Sequence, residues 1–147
     1  MGHTYTDIFV HCIFSTKQRQ STIAKELKEQ LWAYLHGIAC NLKIETLPIG
    51  GTENHVHLLL LLPPTIHLSE LVQKFKANSS RWMGEHGIQF SWQQGYGAFS
   101  VSPSMLGRTR EYIRSQEQHH RTLSYEDEFL AILRKAGIQH NPVDVFD

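Results

Sequence analysis

The chain has little cysteine, no long apolar run and no surplus of charge of either sign. Its two cysteines, Cys12 and Cys40, stand among apolar neighbours without metal-ligand spacing. One bridge between them is possible, but reduced core residues are the favoured reading, which excludes a disulfide-built secreted scaffold. The longest aliphatic stretch, Leu58 to Leu62, is far too short to cross a bilayer. The N-terminus lacks a basic start followed by a continuous apolar run, so no secretory signal is read and a cytoplasmic protein without membrane contact is expected. Fourteen basic and fourteen acidic residues cancel. That balance argues against strong non-specific duplex binding, but not against shape-selective binding of a folded strand. The charge is also uneven. From Thr122 onward five acids (Glu126, Asp127, Glu128, Asp144, Asp147) face two bases (Arg134, Lys135), which leaves the preceding body at +3.

What is present fits one globular domain over residues 1–147, with apolar residues at 41% and no repeat, low-complexity tract or linker. Thr4 to Ser15 is aromatic and β-branched and reads as a strand. Ile23, Leu27, Leu31, Leu35, Ile38 and Leu42 recur at helical spacing. A second strand is expected around Lys43 to Ile49, closed by a turn at Gly50-Gly51. A third runs from His55 to Leu62 and stops at Pro63-Pro64. Leu68, Leu71, Val72, Phe75 and Trp82 mark the buried face of the next helix, and Phe90 to Ser102 is extended again with a bend at Gly95-Tyr96-Gly97. Ser102-Pro103 predicts a helix start, with the helix running to about His119. Ser124-Tyr125-Glu126-Asp127 has the form of a capping box opening a last helix that stops near Gly137. The order β-α-β-β-α-β followed by helices predicts an α+β, ferredoxin-like (RRM-like) sandwich with an antiparallel sheet.

His55-Val56-His57 is the most informative triplet, because alternation along a strand projects both imidazoles from one face, close enough to share an ion. Alone, His-x-His describes many core or surface pairs. Tyr112 and Gln116, four apart on a helix, share a face and can reach one site. A phenol with a reference pKa of about 10 is a poor nucleophile unless its target is polarised or its phenolate stabilised. A divalent ion on a phosphate does the first and helps with the second, and Gln116 could add an oxygen ligand. Without that context Tyr112 is a packing aromatic and Gln116 a solvated amide. His120 lies on the same stripe and reads as a fourth ligand, a phosphate contact, or, the favoured option, a cation at a helix C-terminus. His3, His11, His36, His67, His86 and His140 have no partner spacing and are assigned no role.

Asn54-His55-Val56-His57-Leu58-Leu59, then Trp92-Gln93 with Gly95-Tyr96-Gly97-Ala98-Phe99-Ser100-Val101-Ser102, then Tyr112-Ile113-x-x-Gln116-x-x-His119-His120, resemble three successive signatures of one group. That group is the small single-tyrosine transposases of the HUH superfamily, carried by insertion sequences of the 200/605 type and by REP-associated elements. Each signature is loose, but their order and spacing are specific, and the resemblance spans nearly the whole chain. It implies His55, His57 and Gln116 as metal ligands and Tyr112 as the nucleophile. It further implies cleavage and rejoining of single-stranded DNA at hairpin-marked ends through a 5′-phosphotyrosine. Asn54 stands where many relatives have aspartate, and it can still orient a ligand by hydrogen bonding. The ion is expected to be magnesium or manganese, with imidazole ligands favouring manganese. Lys74, Asn78 and Arg81 on one helix face, Arg108, Arg110 and Arg114 around Tyr112, and Tyr96 as a base-stacking ring are the candidate DNA contacts. The resemblance also implies a homodimer in which the histidines of one subunit meet the tyrosine helix of the other. Competing readings are a non-catalytic single-strand-binding module on the same sheet scaffold, and an HUH relaxase or replication initiator. In the latter the tyrosine often precedes the histidines, the reverse of the order here.

Overall fold

A computed structural model describes residues 2–146, so Asp147 of the acidic tail lies outside the described residues. Four strands, β1 (Ile8–Ser15), β2 (Thr46–Thr52), β3 (His55–Leu62) and β4 (Gly97–Val101), form one antiparallel sheet in the order β2-β3-β1-β4. Helices α1 (Lys25–Asn41) and α2 (Leu68–Glu85) are the two crossovers. The β-α-β-β-α-β expectation therefore holds: the fold is an α+β, ferredoxin-like sandwich. After β4 come a 3-10 turn (Pro103–Met105), α3 (Leu106–Arg114), α4 (Gln116–His119) and α5 (Tyr125–Lys135).

The central strands are buried on both sides, because each alternate residue meets a different helical layer. Cys12 and Phe14 of β1 and Val56, Leu58 and Leu60 of β3 join Leu31 and Leu35 of α1 and Leu71, Phe75 and Met83 of α2 in one apolar core. Ile13, on the opposite side of β1, packs with Tyr125, Phe129 and Leu133 of α5. Trp92 closes the first core: it is buried, meets Phe14 edge-on at 4.8 Å, and its Nε1 donates to Ser79 Oγ at 2.8 Å. Both cysteines are free thiols as expected, but only Cys12 is a core residue, since Cys40 is exposed on α1.

Three local expectations are corrected, and two of them position the site. Gly50-Gly51 is not a turn. Both glycines lie within β2, paired with His57 and Val56, and the chain reverses at Glu53-Asn54 instead. A Cβ at Gly50 would stand 2.2 Å from the backbone oxygen of Ile113, and one at Gly51 would stand 2.1 Å from that of His55. The missing side chain at Gly50 lets α3 lie directly against the sheet, and that at Gly51 lets β2 and β3 approach closely. The helix expected from Ser102 to His119 is not continuous either. It starts as a 3-10 turn and breaks at Ser115 (φ −99°, ψ 22°), whose hydroxyl donates back to the Glu111 carbonyl at 2.6 Å. The first strand is also shorter than its composition implied, starting at Ile8 rather than Thr4. Ser124 does cap α5, its Oγ accepting from the Asp127 amide at 3.1 Å, and the helix ends before Gly137 at φ +69°.

Candidate active site

His55 and His57 project from the β3 face that α3, α4 and α5 cover, and both are fully buried. Around them stand Gln116 from α4, His120 just after it, Glu128 from α5 and Tyr112 from α3. His55 Nε2 lies 2.9 Å from Gln116 Oε1, His57 Nε2 lies 3.2 Å from Glu128 Oε1, and His120 Nε2 lies 3.0 and 3.1 Å from those same two oxygens. The other Glu128 oxygen accepts from the Tyr112 hydroxyl and, at 3.1 Å, from Gln116 Nε2. The break at Ser115 has not separated Tyr112 from Gln116: the Gln116 amide also donates to the Tyr112 carbonyl at 3.3 Å. One carboxylate thus ties together the pairs that sequence spacing had found separately.

Proton placement shows what the cluster suits. Asn54 Oδ1 faces His55 Nδ1 at 2.9 Å, so that nitrogen carries the hydrogen and Nε2 is left bare. The Gln116 amide is oriented by its two donor contacts, so its oxygen faces the bare nitrogen, acceptor against acceptor. Burial, aided by repulsion from His57, pushes His55 down to about 3, and burial likewise lowers His57, so neither takes a proton to relieve the clash near neutral pH. A cation among these atoms would relieve it. Ligand atoms of His55, His57 and Glu128 all lie within 4.8 Å of one another, a buried His-His-Glu group consistent with a metal site. Glu128 is anionic: burial works against its charge, but bonds from His120 and His57 hold it well below the usual carboxylate range. His120 moves the other way. Burial opposes its charge, yet the Glu128 carboxylate and the Leu123 carbonyl together raise it.

Two of these residues had escaped the sequence reading. His11, assigned no role there, is buried on β1 with its Nε2 2.8 Å from His57 Nδ1. It stands to His57 as Asn54 stands to His55, a partner on the far nitrogen that turns Nε2 inward. Burial pushes His11 down to about 3. Its signal was present, since it shares the strand face of Ile13 and Ser15, both buried. Glu128 had been counted only as part of an acidic tail. It falls in the apolar stripe Tyr125, Phe129, Ile132, Leu133 of α5, and a carboxylate in such a stripe must be partnered.

The candidate DNA contacts do not form one surface. Arg108 lies beside Tyr112 in a shared cleft, and Arg114 pairs with Glu111 at 3.2 Å. Arg110 is half-buried on the same helix. Lys74, Asn78 and Arg81 belong to α2, in the layer on the other side of the sheet, where Arg81 donates to Asn78 Oδ1 at 3.1 Å. Tyr96 is exposed beside Lys76. Tyr112 meets the histidines of its own chain, its ring centroid 5.8 Å from that of His57. The short Pro103–Met105 turn and the glycine-lined edge of β2 fold α3 back onto its own sheet.

A ferredoxin-like sheet with paired histidines beside a helical tyrosine is the architecture of HUH transposases. The IS200-like transposase family model matches residues 4–116, and the chain belongs to that family. A chain assigned as a transposase from Deinococcus radiodurans is 26% identical over 79% of this chain and 96% of its own, with a TM-score of 0.62. A REP-associated tyrosine transposase solved with a REP hairpin shares the fold at a TM-score of 0.63 and 14% identity, covering 82% of this chain and 73% of its own. No curated protein matches the chain. No helix among the described residues is long and apolar enough to cross a membrane.

Proposed function

We propose that the chain, acting as one nuclease domain, cuts and rejoins single-stranded DNA through a covalent bond to Tyr112. The observation that carries this reading is the convergence of Tyr112, Gln116, His55 and His57 on Glu128 within one chain. The Tyr112 oxygen attacks the scissile phosphorus, the bond from phosphorus to the 3′-oxygen breaks, and that oxygen leaves with the electron pair and takes up a proton. Glu128 is the acceptor nearest the phenol proton. The phosphodiester energy is kept in the phosphotyrosine, so rejoining by a 3′-hydroxyl needs no nucleotide hydrolysis.

His55, His57, Gln116 and Glu128 would hold magnesium or manganese, and the mixed imidazole and oxygen donors favour manganese. When bound, the ion polarises the phosphate and stabilises the phenolate. Asn54 and His11 orient the two imidazoles. His120 completes the cluster as a further ligand or, protonated, as a donor to Glu128. Hairpin-bearing single strands are the proposed substrate, supported by the hairpin bound to a transposase of the same fold. A homodimer, if it forms, would then carry two complete sites. A non-catalytic single-strand-binding module is disfavoured, because the sheet face it would use is covered by α3 to α5 and buries the histidines.

The test is incubation with manganese and single strands from the ends of the DNA that carries this chain's gene, read on a denaturing gel. The intact protein forms a slow-migrating covalent adduct, and Tyr112→Phe forms none while still binding the strands. An adduct of normal yield from that variant, or full cleavage in excess chelator, would overturn the assignment.

A further inference from the structure

Tyr112 forms part of the wall of a cleft of about 690 Å³ bounded by β4, α3 and α5. That volume falls in the range of roughly 300–1,000 Å³ typical of small-molecule sites. Its walls are apolar where a base would rest, with Phe99 and Ile132 inside and Met105 and Leu123 at the rim, 39% and 38% exposed. Arg108 and Lys135 face it from α3 and α5, and both are exposed. Its one acid is Glu128, already engaged by Tyr112, Gln116 and the histidines. β4 is an edge strand, paired among the described residues with β1 alone, so its outer edge offers backbone groups to a ligand. Apolar walls, two exposed cations and a peptide edge, all opening beside the nucleophile, match the parts of a nucleotide: base, phosphate and base edge.

Displacement geometry selects which nucleotide this is. The leaving 3′-oxygen must depart opposite the attacking Tyr112 oxygen, carrying its nucleotide away from the tyrosine. The nucleotide linked through the 5′-oxygen stays beside Tyr112. We propose that this cleft seats the first nucleotide 3′ of the cut, the one that becomes attached to Tyr112. Its base lies between Met105, Leu123 and Ile132, and Arg108 and Lys135 hold the phosphate that follows. The proposal rests on Tyr112 being the nucleophile. It gives the chain a means of keeping the attached strand in place while the other strand is exchanged.

The test uses the single strands described above, with one abasic nucleotide walked through the cut, and measures kcat/KM for adduct formation in manganese. With the intact protein, an abasic first attached nucleotide lowers kcat/KM about 10- to 100-fold, more than at either neighbouring position. Ala131→Phe fills the cleft from the exposed side of α5. It lowers cleavage of the complete strand by a similar factor and removes the difference between complete and abasic strands. Equal penalties at every position, or an Ala131→Phe variant that cleaves every strand like its parent, would overturn the seat and leave Tyr112 as the nucleophile. Failure of the intact protein to form an adduct with any strand would overturn Tyr112 as nucleophile and the seat with it.

Discussion

The two faces of the sheet are built from neighbouring residues of the same strands and do opposite things. On the face toward α1 and α2, Cys12, Phe14, Val56, Leu58 and Leu60 are all apolar and buried. One residue along in either direction, His11, Ser15, His55 and His57 are polar and just as buried. The first face can be dry because it has only to hold the helices. The second keeps groups that are costly to bury, and each is partnered: the histidines through Asn54, Glu128 or one another, and Ser15 through the Thr16 carbonyl. The larger apolar core lies in one layer, and the polar groups lie in the other beside the smaller cluster of Ile13 with α5, separated by the thickness of a single strand.

The sharpest way to test that division is to damage one face at a time. Phe75→Ala, in the apolar layer, should cost about 3–5 kcal/mol in denaturant unfolding, while the folded fraction still forms adduct. Tyr112→Phe should do the reverse, removing cleavage by at least about a thousandfold with little change in stability. Acid should expose the polar face by itself. His11 and His55 titrate near 3 when folded, against an ordinary 6.5, so below pH 6.5 the unfolded chain binds protons that the folded chain refuses. In chelator, stability should fall by up to about 1.4 kcal/mol per pH unit for each of them as pH drops from there toward 3. His120, whose pKa is raised, contributes oppositely, with stabilisation lost as pH rises through its folded value. A flat profile between pH 7 and 5 would mean that these imidazoles are not held neutral.

Gly50→Ala tests whether α3 must lie against the sheet. Its methyl would meet the Ile113 backbone 2.2 Å away, so α3 must shift. Adduct formation should drop roughly a hundredfold, because a displacement near 1 Å is enough to misplace a nucleophile. The smallest effect is expected from Asn54→Leu, which leaves the outer nitrogen of His55 with Thr52 Oγ, 3.0 Å away, as its remaining partner. Manganese affinity, measured by titration calorimetry, should weaken about 10- to 100-fold with the apolar layer unaffected.

The sequence pattern carried the fold well because both periodicities are strong: leucines at helical spacing in α1, and β3 as one unbroken apolar run around its histidines. It failed where tertiary approach overrode a local preference. Gly50-Gly51 has the composition of a turn, yet what decides its conformation is the backbone of α3 and of β3 pressing on it. The break at Ser115 comes from a hydroxyl bonding its own helix, an option that a capping or periodicity rule does not weigh. Within the site, His55, His57, Tyr112 and Gln116 were legible because each pair sits at a spacing that one strand or one helix turn brings together. His11 and Glu128 reach the same point from β1 and α5, and no spacing along the chain encodes those approaches. Their trace was subtler: a polar residue in line with buried apolar ones.

The central claim is that one chain supplies a whole active site. Co-expressing Tyr112→Phe and His57→Ala chains, and purifying the mixture, tests it directly. If each site is built within a chain, every site in the mixture carries a lesion, and no covalent adduct should form with strands that the intact protein attacks. Recovery of adduct in the mixture, with each variant inactive alone, would mean that Tyr112 of one chain works on the histidines of another and would contradict the arrangement described here.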